Sequence, residues 1–141
     1  MKGRRRARRL ALECLYELDQ STHPLGLVVQ HRALAVLEER GLVYPCWCTR
    51  AEIREAASAP HGDLPEGAYP GTCRDLGPAA RAERGSSGRP PALRVRAGEA
   101  REAFEDRLRG PVEGIVDDFV IRRNDGAYAY NLAVVVDDAA Q

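Results

Sequence analysis

Ala7, Leu10, Ala11, Cys14, Leu15 and Leu18 recur at steps of three and four residues, the spacing of an amphipathic helix. Asp19 to Pro24 breaks that pattern. A second helix is predicted over Leu27 to Arg40, with Leu27, Leu34 and Leu37 on one face. Gly41 follows as its C-terminal cap, with Leu42 placed to pack back. Thr49 and Glu52 have the spacing of a capping box, which opens a short helix from Arg50 to Ala57. Residues 58–72 carry Pro60, Gly62, Pro65, Gly67, Pro70 and Gly71 and read as a loop. Pro78 starts another short helix, ended by Gly85-Ser86-Ser87-Gly88. From Ala92 to Arg96, Leu93 and Val95 alternate with Arg94 and Arg96, as in a strand whose arginine face is wet. Phe119 to Arg122 is a further strand, and Asn124-Asp125-Gly126 is a hairpin turn leading to a partner strand over Ala127 to Tyr130. β-branching assigns a strand to Leu132–Val136.

Three cysteines lie in a pattern that suits a metal. Cys46 and Cys48 are too close for an unstrained disulfide. Two thiolates on one short turn, joined by Cys73 after a loop, match a small cation that prefers tetrahedral sulfur, most often zinc. A ligated metal would also order the loop between them. The residues alone leave the fourth ligand open among Tyr69, His61 and Asp75. The plainer alternative is a pair of buried thiols beside Trp47, with Cys73 elsewhere.

Charge changes the picture locally rather than in total. The 141-residue chain has 21 basic and 21 acidic residues, so net charge argues neither for nor against a nucleic-acid partner. Lys2, Arg4, Arg5, Arg6, Arg8 and Arg9, however, form an acid-free basic start, a phosphate-binding element or simply a solvated helix face. No apolar run approaches the ~20 residues that span a bilayer. Cys14 stands apart from the other cysteines, and a reducing cytoplasm is the expected setting for the four thiols. Asp137 and Asp138 are candidates for metal or acid–base work, or for surface capping. From the residues alone, Tyr130 reads as a core aromatic.

From about residue 31 onward, four blocks in order resemble the glutamyl-Q tRNA(Asp) synthetase family, relatives of glutamyl-tRNA synthetase. They are residues 41–53 (GLVYPCWCTRAEI), 69–74 (YPGTCR), 117–123 (DDFVIRR) and 130–138 (YNLAVVVDD). The resemblance implies an α/β fold: a partial class I synthetase Rossmann-like catalytic domain over 31–141, with an inserted zinc-binding segment at 44–75. It implies ATP-dependent activation of glutamate and transfer to the queuosine base of tRNA(Asp). By position, the zinc ligands fall on Cys46, Cys48, Tyr69 and Cys73, and the glutamate-contacting tyrosine on Tyr130. The family's two ATP motifs, a His-x-Gly-His type sequence and a lysine-bearing loop, are not in the chain, where Lys2 is the only lysine. The expectation is that the chain by itself has no complete adenylation site, and that open sheet edges make it marginally stable or prone to association.

Residues 1–30, a basic amphipathic segment ahead of that domain, resemble instead the opening helix of the transcription antitermination factor NusB family. That likeness implies single-stranded RNA contacts through Arg4, Arg5, Arg6, Arg8 and Arg9. It supplies the alternative function, a noncatalytic RNA-binding protein.

Overall fold

The computed structural model describes residues 2–20, 22, 24–57, 68–98, 100–132 and 134–135, without the side chains of 2–8, 18 and 25. These residues form two compact units, one of 1–41 with 128–141 and the other of 42–127.

The first unit is built on α1 (Lys2–Gln20) and α2 (Leu25–Glu39), which pack on each other. The face that α1 turns inward carries Leu10, Glu13, Cys14 and Glu17, whereas Leu12, Leu15 and Tyr16 are exposed. Leu15 therefore leaves the expected stripe, because Arg32 of α2 draws Glu13 and Glu17 to the contact at 3.4 and 3.1 Å. Among the described side chains of α2, Val28 and Leu34 are the buried apolar ones. The helix ends as its sequence predicts, with Gly41 at φ 66° and its N–H donating to the Glu38 carbonyl at 2.9 Å.

The strand expected over Leu132–Val136 is not observed. Residues 130–132 and 134–135 are helical, and the Leu132 N–H donates to the Ala129 carbonyl at 3.1 Å. β-branching favours a strand only where a pleated neighbour exists to pack against, and none flanks these residues among those described. The partner strand expected over Ala127–Tyr130 is reduced to a single bridged residue, Tyr128. The turn itself forms, with Gly126 N–H to the Arg123 carbonyl and Arg123 N–H to the Ala127 carbonyl, but the chain then becomes helical at Tyr130.

In the second unit, β1 (Val43–Cys46), β2 (Ala92–Val95) and β5 (Val120–Arg122) make an antiparallel sheet in the order β1-β2-β5. Pro45 is tolerated because β1 is an edge and pairs only with β2. Tyr44 is directly opposite Arg94, so the two share one face. That face is buried, with Tyr44 and Cys46 in the core and Arg94 8% exposed. The wet arginine face read from the alternation of β2 is thus corrected for Arg94: its guanidinium finds buried partners, and burial with partners outweighs the polar pattern. Helices α3 (Arg50–Ala57) and α4 (Pro78–Gly85) have the predicted bounds. A separate antiparallel hairpin, β3 (Arg101–Asp106) and β4 (Gly110–Ile115), had no strand prediction. Both sheets are antiparallel, so the parallel pairing of a Rossmann-like core is not among the described residues.

Candidate metal centre

The sequence brings its three candidate sulfur donors together by short-range means. Cys46 ends β1 and is buried. Three residues on, Thr49 caps α3: its N–H donates to Glu52 Oε2 at 2.6 Å, and the Glu52 N–H donates to Thr49 Oγ1 at 3.2 Å. That reciprocal cap fixes where the chain leaves the Cys46–Cys48 turn. On the other side, Gly71 adopts φ 80°, and the Arg74 N–H donates to its carbonyl at 2.8 Å. A side chain at 71 would meet the Arg74 guanidinium at 3.2 Å, in a backbone conformation that disfavours it. The tight turn brings Cys73 back to Tyr69, whose Oη accepts the Cys73 N–H at 2.9 Å.

The four side chains converge. The sulfurs of Cys46, Cys48 and Cys73 all lie within 4.8 Å of one another, and Cys48 Sγ is 3.5 Å from Cys73 Sγ. Tyr69 Oη is 3.4 Å from Cys46 Sγ and 3.6 Å from Cys48 Sγ. A cation bound at about 2.3 Å from sulfur and about 2.0 Å from oxygen has tetrahedral S–S edges of about 3.8 Å and S–O edges of about 3.5 Å. The Cys48–Cys73, Tyr69–Cys46 and Tyr69–Cys48 separations are close to these edges and the donor chemistry suits such a metal, so the cluster could hold a small tetrahedral ion. Trp47, Ile53 and Leu76 pack around it.

Protons compete for these donors. Burial raises the Cys46 thiol, but its hydrogen bond with Tyr69 and the nearby Arg94 guanidinium outweigh that and hold it below the ordinary thiol value. At Cys48 burial dominates, and with the charges of Cys46 and Cys73 pushes the thiol up to about 12. Burial and the thiol hydrogen bonds also raise the Tyr69 phenol. A divalent cation reverses such biases by stabilising the deprotonated donors.

The remaining candidates lie elsewhere. Asp75 is not in the cluster and accepts from Arg96 Nη1 at 2.7 Å. His61, Asp137 and Asp138 lie outside the described residues. Tyr130 belongs to the other unit and is 80% exposed, so the core-aromatic reading fails: the helical turn directs it to solvent. Arg9 is exposed and paired with Glu13 at 2.8 Å, while the side chains of Arg4, Arg5, Arg6 and Arg8 are not described.

Sequence reasoning missed the polar frame behind the cluster. The Asp118 carboxylate is fully buried and accepts from Arg74 Nε and Tyr44 Oη, each at 2.6 Å, and from the Ala97 N–H at 2.9 Å. Burial raises this carboxyl, but those donors outweigh it and hold it below the usual carboxylate range. Asp117 Oδ2 accepts the Tyr69 N–H at 3.1 Å. The Asp117-Asp118 pair was visible as two acids, but no spacing in the sequence ties it to residues 44, 74 and 97.

The family model for class I tRNA synthetases (E and Q), catalytic domain, matches residues 29–141. A glutamyl-Q tRNA(Asp) synthetase from Nocardia farcinica is 62% identical over 109 residues, which cover 77% of this chain and 34% of the relative. One from Symbiobacterium thermophilum is 50% identical over 111 residues, covering 76% and 34%. The chain thus spans about a third of the length of these curated relatives. Among solved structures, a glutamate tRNA ligase from Elizabethkingia meningosepticum in complex with its amino acid aligns with a TM-score of 0.56 at 22% identity, covering 79% of this chain and 24% of that one. The glutamate-tRNA synthetase of Elizabethkingia anophelis gives 0.57 at 22%, covering 79% and 25%. The match starts at residue 29 and leaves 1–28 outside it; over the rest of its length, the chain belongs to the class I tRNA synthetase (E and Q) catalytic-domain family.

Proposed function

We propose that this chain forms part of a glutamyl-Q tRNA(Asp) synthetase-like catalytic domain. Its reaction would be ATP-dependent activation of glutamate, followed by transfer of the glutamyl group to the queuosine base of tRNA(Asp). In that reading Cys46, Cys48, Tyr69 and Cys73 hold a structural Zn2+. The observation that carries it is the convergence of three sulfurs within 4.8 Å of one another, with the Tyr69 phenol oxygen 3.4 and 3.6 Å from two of them, inside the family-matched residues.

A zinc ion there supplies a cross-link, because four protein ligands fill its coordination and leave no position for substrate or water. The chain's own groups do the positioning. Thr49 and Glu52 hold the turn after Cys48, Asp117 holds the Tyr69 backbone, and Gly71 lets Cys73 return. Tyr130 is the proposed glutamate contact; its exposure leaves the phenol available to a ligand. Catalysis would rest on placing the glutamate carboxylate in line with the α-phosphorus of ATP. No residue is assigned to ATP. A reducing compartment such as the cytoplasm suits these thiols, and no helix among the described residues is long and apolar enough to cross a membrane.

Metal analysis of the purified chain tests the centre. One zinc per chain is expected, with Cys46→Ser losing it. A parent protein that carries no zinc after purification in zinc-supplemented medium would sink the assignment.

A further inference from the structure

Arg94 poses a charge problem. It sits on the central strand β2 and is 8% exposed. Its Nη1 donates to the Asp118 backbone carbonyl at 2.7 Å, and its Nε has no hydrogen-bond partner. Among the described residues, no carboxylate is paired with it. The nearby Asp118 carboxylate is taken by Arg74, Tyr44 and the Ala97 N–H, and that of Asp117 accepts the Tyr69 N–H. A buried cation without an anion is costly, so something must balance it.

What the guanidinium does face is the donor cluster. It lies 3.7 Å from the centroid of the Tyr69 ring, whose Oη is in turn 3.4 Å from Cys46 Sγ and 3.6 Å from Cys48 Sγ. That cluster has the opposite imbalance once loaded. Three thiolates around a divalent cation leave at least one uncompensated negative charge in a site where burial weakens solvent screening. Arg96, the next arginine on the same segment, is different. It is half-exposed, has Asp75 as its own carboxylate at 2.7 Å, and stands 5.2 Å from the ring of Tyr44 rather than that of a cluster residue.

We propose that Arg94 is the counter-charge of the metal-loaded centre and the residue that positions Tyr69 within it. This rests on the metal reading given above. The guanidinium supplies the charge, and its flat contact with the ring, anchored through the Asp118 carbonyl, sets the direction of Tyr69 Oη.

The test uses the whole chain with Arg94→Gln, Arg94→Lys and, as control, Arg96→Gln. Gln keeps a donor for the Asp118 carbonyl while removing the charge; Lys keeps the charge without the planar contact. Zinc affinity is measured by competition with a chromophoric chelator, and cobalt(II) absorption reports the geometry of the ligand set. Arg94→Gln is expected to bind zinc about 10- to 100-fold more weakly, still with one ion per chain at saturation. Arg94→Lys is expected to keep near-parent affinity with an altered cobalt spectrum, and Arg96→Gln to match the parent in both. Parent-like affinity in Arg94→Gln overturns the proposal, as does an Arg94→Lys loss as large as that of Arg94→Gln. Should Arg94→Gln fail to fold, Arg94→Lys decides: near-parent affinity with an altered spectrum upholds the proposal, and a loss of about tenfold or more overturns it. A parent that binds no zinc removes the metal reading itself, an outcome distinct from unequal variants of a zinc-binding parent.

Discussion

Asp118 shows how one residue can hold a site without touching its donors. Its two oxygens take an arginine, a phenol and a backbone amide, so removing the charge strands a mostly buried Arg74. Asp118→Asn is expected to destabilise the fold by about 3 kcal/mol near neutral pH, the range for breaking a buried pair. The pH dependence has a definite sign. A carboxyl held below its unfolded value of about 3.9 contributes fully above that value, and loses its contribution as pH falls through the lower, folded one. The stability gap between parent and Asp118→Asn, from urea titrations at stepped pH, should therefore be constant above about pH 5 and narrow below about pH 4. A gap that widens on acidification would contradict this account. At this scale the gathering of Cys46, Cys48 and Cys73 was legible in their spacing, whereas Tyr69 was named only by the family resemblance, the residues alone leaving it open against His61 and Asp75. The sequence was mute on Arg94, since an arginine between Leu93 and Val95 looks the same whether its face meets water or a buried cluster.

Elements with local stop and start signals came through the sequence intact. The capping box at Thr49 and Glu52 and the proline at position 78 set α3 and α4, and both signals act within one helical turn. The β3–β4 hairpin escaped because its strands carry no apolar alternation: β3 reads Arg-Glu-Ala-Phe-Glu-Asp and is almost wholly exposed. Its turn signal was also unlike the Asn-Asp-Gly one, being an aspartate, Asp106, whose Oδ1 accepts the N–H groups of Leu108 and Arg109 at 2.8 Å. The hairpin packs against no other element among those described, and a two-stranded hairpin alone is marginal in water. Amide hydrogen exchange should therefore be faster across 101–106 and 110–115 than in β2, which is hydrogen-bonded on both sides. Equal protection of the two would show that the hairpin has a partner.

For the molecule as a whole, similarity and chemistry give different amounts of information. The family match fixes the kind of domain, while the two ATP motifs expected from the resemblance do not occur in the sequence, which holds a single lysine, Lys2. Developing charge on a transferring phosphoryl group needs cations or aligned dipoles. Glutamate-dependent exchange of pyrophosphate into ATP is accordingly expected to be absent from the chain by itself, and exchange above the enzyme-free blank would overturn that expectation.

The Asp118 frame also orders events in time. The donors at 46, 48, 69 and 73 are all synthesised before the carboxylate at 118, which follows Cys73 by roughly 45 residues. At about 5–20 residues per second on the ribosome, that interval is about 2–9 s. A nascent chain thus carries all four candidate donors, three thiols and a phenol, for seconds before the clamp through Tyr44, Arg74 and Ala97 can close behind them, so closure of that clamp is a late step in folding.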